Sequence, residues 1–188
     1  MLSWPRLVLA YILAGLFCLG VWYYQPVPIP RVRVHAPTEA DIKAEWALEL
    51  QQKEIDKAIP VSAHLYREYG CPVELSAPTA VFATSNHLPV RVVTAVVIVE
   101  SSCRPRVINP RSGATGLMQV MPKMHRASRK DLLDRETNLR VGTHLLAQLI
   151  HQYGLEEGVA SYFGITPGSD AAYDYAYHVL EVAGYKRK

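Results

Sequence analysis

The chain has 188 residues, about half of them hydrophobic, and a formal charge of +3. That length admits one domain-sized core with appendages and excludes a chain that is disordered throughout. A charge this small gives no reason by itself for a nucleic-acid or acidic partner, so its distribution along the chain carries the information.

Residues 7–24, "LVLAYILAGLFCLGVWYY", hold no charged side chain. At a helical rise of about 1.5 Å per residue they would nearly cross the hydrocarbon core of a bilayer. The residues that follow the apolar core, Leu19 to Tyr24, offer no small-x-small cleavage site. Leu16 and Phe17 stand before Cys18 where lipoprotein processing wants small residues. Trp22, Tyr23 and Tyr24 suit the interfacial belt of a spanning helix. The expectation is an uncleaved signal-anchor over residues 1–24. Arg6 on one side and Arg31 and Arg33 on the other leave its orientation open by charge alone. Residues 25–37 follow, with four prolines in "QPVPIPRVRVHAP", and predict an extended, semi-rigid linker.

Over residues 38–70 the pattern changes. Thr38 can cap a helix, and Ile42, Trp46, Leu50 and Ile55 recur at helical spacing. Seven acids against four bases between Thr38 and Gly70 make this amphipathic arm either a solvated, partner-facing helix or one lying on the main domain.

The main domain is expected over residues 71–188. Its first segments are broken at His87-Leu88-Pro89, and the run "VRVVTAVVIV" favours a strand by propensity. Asn-Pro and Ser-Gly in "RVINPRSGATGLMQV" predict a small β hairpin. Leu139, Leu145, Leu146, Leu149, Ile150 and Tyr153 mark a helix opened by Thr137 or Asn138 and closed by Gly154. "DAAYDYAYHVLEVAGY" predicts another, with Asp170 as cap.

In order and spacing, "VESS", "SGATGLMQVMP", "TNLRVGTHLLAQL" and "ASYFG" resemble the soluble lytic transglycosylases, the peptidoglycan-cleaving branch of the lysozyme-like superfamily. The resemblance runs from about Ser76 to Leu180. It implies a mainly α, lysozyme-like α+β fold with a small β hairpin, here preceded by a transmembrane helix. The valine-rich run then becomes a buried helix that ends on Glu100.

A carboxyl that protonates a glycosidic oxygen near neutral pH needs a raised pKa. The apolar run before Glu100 and its place at a helix carboxyl end both act in that direction. No Asp or Glu lies between Ser101 and Lys130; Asp131, Asp134 and Glu136 are the next acids. Most glycosidases need a second carboxylate. The resemblance implies a route without one, in which the muramic acid 6-hydroxyl attacks its own anomeric carbon and Glu100 serves first as acid and then as base. Intramolecular attack has a large effective molarity, so no activated water is needed. A hydrolytic lysozyme of the same fold, and a non-catalytic wall-binding assembly protein, stand as alternatives.

The resemblance further implies that Ser101, Gly116, Met118, Gln119 and Tyr162 meet substrate, with Gly113 in the same hairpin and the Tyr162 hydroxyl near Glu100. For Ser101, Met118 and Tyr162, plain roles in helix ends and core compete with these. Asn138 and Gly142 are read as structural. The family asparagine after the tyrosine is Phe163 here. Cys71 and Cys103 flank the first core segment and the catalytic turn, and an oxidising compartment would let them bridge.

Between Ser101 and Lys130 seven bases face no acid, namely Arg104, Arg106, Arg111, Lys123, Arg126, Arg129 and Lys130. That patch is either a solvated face or a match for an anionic polymer such as peptidoglycan; no aromatic interleaving suggests nucleic acid. The seven histidines show no metal-ligand spacing, so neither metal nor cofactor is expected. The setting that follows is a single-pass protein of the inner membrane with its catalytic domain on the wall side. A secretion, conjugation or phage apparatus are candidate users.

Overall fold

A computed structural model describes residues 38–123, 127–164 and 169–186. The expected anchor and the linker lie outside them. Among the described residues no helix is long and apolar enough to cross a membrane.

The architecture is helical, as the motifs imply. α1 (Glu39–Glu68) is followed by a single 3-10 turn (Val73–Leu75), α2 (Ser76–Ser85), α3 (Val90–Ser101), the short α4 (Arg129–Leu132), α5 (Arg135–Tyr153), α6 (Leu155–Tyr162) and α7 (Asp170–Val182).

α3 is the core element. Pro89 starts it, its ring holding φ at −60° with ψ at 120°. Val92, Val93, Thr94, Ala95, Val96, Val97 and Ile98 are all buried in succession. A strand propensity is overridden here because α1, α2 and α7 pack around the run and accept an apolar residue in every direction. The one polar side chain in that series, Thr94, is satisfied by the Val90 carbonyl at 2.8 Å and by the Ser62 hydroxyl of α1 at 2.9 Å.

α1 divides into two halves. Ile55, Ser62, Leu65 and Tyr66 are buried against α2 and α3, and the Tyr66 hydroxyl pairs with Thr79 at 2.8 Å. Trp46 and Leu50 on the preceding turns remain 64 % exposed. The two readings of the arm therefore each describe half of it. No packing break appears at Cys71, because everything from Glu39 onward forms one unit.

The β hairpin is corrected. Residues 107–120 make two antiparallel single-residue bridges, Ile108 with Thr115 and Thr115 with Val120, and no strand. Positive φ at Gly113 (79°), Gly116 (81°) and Gln119 (47°) turns the chain every third residue, so no ladder can extend beyond one pair. α5 also begins earlier than expected. Asp134 caps it by accepting the Thr137 amide at 2.8 Å, which leaves Asn138 inside the helix. Its buried face is Asn138, Leu139, Gly142, Thr143, Leu146 and Ala147, while Tyr153 of the expected stripe is 49 % exposed.

Cys71 and Cys103 are joined, with Cα atoms 5.7 Å apart. The bridge closes a loop of 32 residues in sequence separation, so its loss is expected to cost about 3–4 kcal/mol in the chain-entropy account. Denaturant unfolding of the full chain with Cys71→Ser and Cys103→Ser checks this, and an unchanged midpoint would contradict it.

Candidate active site

Glu100 stands one residue before the end of α3, where the buried helix first reaches the surface. Burial pushes its carboxyl up from 4.5 to about 7, against the opposing effect of one hydrogen bond. That bond comes from the Tyr175 hydroxyl of α7, which donates to Glu100 Oε1 at 2.7 Å. The chain then leaves sharply. Ser102 (φ 49°) and Cys103 (φ 62°) both adopt left-handed backbone, a conformation that costs a non-glycine residue about 1 kcal/mol or more. The Ser102 amide closes the helix on Ile98, and the disulfide at Cys103 ties the strained turn to Cys71 beyond α1.

A second layer is built from the turn Gly116-Leu117-Met118-Gln119 and α5. Asn138, fully buried, accepts the Met118 amide at 2.8 Å and donates to the carbonyls of Thr115 at 2.8 Å and Leu132 at 2.9 Å. One side chain thus bonds three backbone groups, of which the Thr115 carbonyl also accepts the Val120 amide at 3.0 Å. The Tyr162 hydroxyl of α6 donates to the Met118 carbonyl at 2.8 Å. A side chain at position 142 would bring its Cβ to 2.7 Å from Met118 Cβ and 3.1 Å from the Tyr162 hydroxyl, which explains a glycine within α5.

Each residue expected to meet substrate has a definite place. Ser101 is buried and donates to the Val97 carbonyl at 3.0 Å, the helix-end role. Met118 is fully buried and contributes through its backbone. Gly116 is required by sterics, since a Cβ there would overlap the Asn138 amide and the Leu132 carbonyl. Gln119 is half-buried and its amide donates to Gly116 (2.9 Å) and Val107 (3.3 Å) carbonyls, so it braces the turn. The hydroxyl on Glu100 belongs to Tyr175, not Tyr162; Tyr162 is near enough for the Glu100 charge to raise its pKa, behind the larger effect of burial.

Tyr175 was legible in principle. It lies three residues after Ala172 and four before Val179, both buried, so it falls on the inward stripe of α7. Nothing in the motif pattern singled it out from Tyr173 and Tyr177.

The acids that follow Glu100 are used locally. Asp131 pairs with Ser128 at 2.6 Å at the start of α4, Asp134 caps α5, and Glu136 is exposed. No other carboxylate contributes to the shift at Glu100. The described bases of the patch, Arg104, Arg106, Arg111, Lys123, Arg129 and Lys130, are all exposed. Among the described residues no group of three His, Cys, Asp or Glu side chains could hold a metal.

A family model described as "Transglycosylase SLT domain" matches residues 80–177, just over half of the chain. The chain belongs to this family. No curated protein matches it. The SLT domain opens within α2 and closes within α7, and so contains Glu100, the Gly116–Gln119 turn, Asn138, Tyr162 and Tyr175. Membership indicates a glycan-cleaving enzyme of transglycosylase type, with peptidoglycan as its polymer.

Proposed function

We propose that this SLT domain cleaves the β-1,4 bond between N-acetylmuramic acid and N-acetylglucosamine with formation of a 1,6-anhydro end. The observation that carries the reading is a single half-buried carboxyl, Glu100, whose only hydrogen-bond partner among the described side chains is a neutral tyrosine. With a pKa near 7, about half of the Glu100 carboxyls hold a proton at neutral pH. In the first half of the reaction that proton passes to the leaving glycosidic oxygen as the C1–O bond breaks. In the second, the muramic 6-hydroxyl bonds to C1 and its proton returns to the Glu100 carboxylate. Tyr175 steadies the carboxylate in between, since its hydroxyl bond favours the charged form.

The hydrolytic alternative needs a water-activating or nucleophilic carboxylate at about 5–9.5 Å from the acid. Asp131 and Asp134 serve as helix-start partners instead, which favours the single-carboxyl route.

The proposal includes a setting. Residues 7–24 anchor the chain in the inner membrane, residues 25–37 space it, and the SLT domain works on the wall side, where an oxidising compartment suits the Cys71–Cys103 bridge. A wall-spanning secretion, conjugation or phage apparatus is the class of machine that such a tethered wall-cutter would serve.

The pH profile tests the catalytic reading. The protonated acid is the active form, so the rate on purified peptidoglycan should fall as pH rises through about 7. A rate that climbs steadily from pH 6 to 9 would contradict it.

A further inference from the structure

Phe163 closes α6 one residue after Tyr162, at the position where the resemblance calls for asparagine. Its ring is stacked on Tyr175, with centroids 4.8 Å apart and planes 20° from parallel. It is also 40 % exposed, so the stack lies at the surface, over the half-buried Tyr175 ring. Tyr175 in turn donates to Glu100 Oε1 at 2.7 Å. A chain of two contacts therefore links the end of α6 to the carboxyl at the end of α3. Asparagine cannot reproduce the first contact, because its small amide offers no ring face of matching area.

The geometry matters because a phenol oxygen sits at the far end of a long lever. A modest tilt of the Tyr175 ring displaces its oxygen by about 1 Å, enough to turn a short hydrogen bond into none. A flat ring lying against Tyr175 from the α6 side opposes that tilt. We propose that Phe163 is a positioning residue, whose stack holds the Tyr175 ring so that its hydroxyl stays on the Glu100 carboxylate. Its consequence for catalysis rests on the function proposed above, while its consequence for the carboxyl does not.

The ionisable groups facing Glu100 from the packed helices are Tyr175 of α7 and Tyr162 of α6. Burial holds both neutral well above the ordinary range, so Glu100 can titrate without interference from them.

The test is side-chain carboxyl 13C NMR of the full chain in detergent, labelled at glutamate, with Glu100 assigned through Glu100→Gln. Tyr175→Phe removes the hydroxyl bond and should raise the Glu100 midpoint by about one pH unit. Phe163→Leu keeps an apolar cover but removes the flat ring, and should raise it by roughly half as much. The double variant should equal Tyr175→Phe alone, and Phe163→Tyr should restore the wild-type midpoint. Phe163→Met replaces Phe163→Leu if that variant does not fold.

An unmoved or lowered midpoint in Phe163→Leu would overturn the proposal, as would effects that simply add in the double variant. So would a higher KM with an unchanged midpoint, which is what a sugar-stacking platform would give. If the wild type releases no glycan fragments, the proposed function fails and the titration still decides the role of Phe163.

Discussion

Glu100→Gln is expected to remove glycan cleavage and, above pH 7, to make the protein more stable. The first effect is the loss of a group used in both proton transfers, for which a decrease of about 10²–10⁴-fold or more is typical. The second follows from linkage. The carboxyl has a pKa of about 7 in the fold against 4.5 for the ordinary side chain. Folding therefore favours the protonated form; the cost of ionising it is absent below about pH 4.5 and grows to full size above about pH 7. Glutamine keeps an oxygen for the Tyr175 hydroxyl but carries no charge, so at pH 8 it should gain on the order of 2–3 kcal/mol. At pH 4 the two proteins should unfold alike. Thermal or urea unfolding at both pH values checks this, and equal stabilities at pH 8 would show that burial does not raise the acid.

Asn138→Ala should be the most damaging change outside the acid itself. It leaves the Met118 amide and the Leu132 carbonyl without the partner Asn138 gave them, and takes one of two donors from the Thr115 carbonyl, which keeps the Val120 amide at 3.0 Å. With each of the two unpaired groups costing about 1–3 kcal/mol, a net loss of about 2–4 kcal/mol is expected, part of it offset by relaxation. Asn138→Asp should fare little better. Its second oxygen would face two carbonyl oxygens where the amide now donates to both. Urea unfolding distinguishes the outcomes, and a loss under about 1 kcal/mol in Asn138→Ala would contradict the account of the turn. Activity should fall along with stability, since Asn138 holds the Met118 amide of the Gly116–Gln119 turn to α5.

The sequence carried the fold most clearly where a motif fixed the spacing and least where tertiary packing chose between local options. The run Val90–Val99 reads as a strand by propensity and as a helix by its place before "ESS"; burial on every side decided for the helix. The turn residues of 107–120 were visible, but three positive-φ positions within seven residues reduce a hairpin to isolated bridges, and φ is not written in glutamine. Asn138 and Gly142 were legible as structural residues, and their contacts bear that role.

The site was legible at its centre and less so around it. Glu100 stood out by its apolar approach and by the acid-free stretch after it. Ser101, Met118 and Gln119 came with the motif, yet their side chains or backbones serve helix end, core and turn. The motif put Tyr162 near the acid, and only the packing of α6 and α7 shows that the hydroxyl bonded to Glu100 is that of Tyr175. The bridge between Cys71 and Cys103 needed the Cα separation that the folded chain supplies.

The most direct test of the single-carboxyl account is the chemistry of the new glycan end. Purified peptidoglycan digested with the full-length protein in detergent, beside Glu100→Gln, is analysed by mass spectrometry. Anhydro-muramic ends, about 18 Da lighter than hydrolysed ones, that disappear in the variant are the predicted result. Reducing ends from the wild-type protein would contradict it and place a second carboxylate and a water in the mechanism.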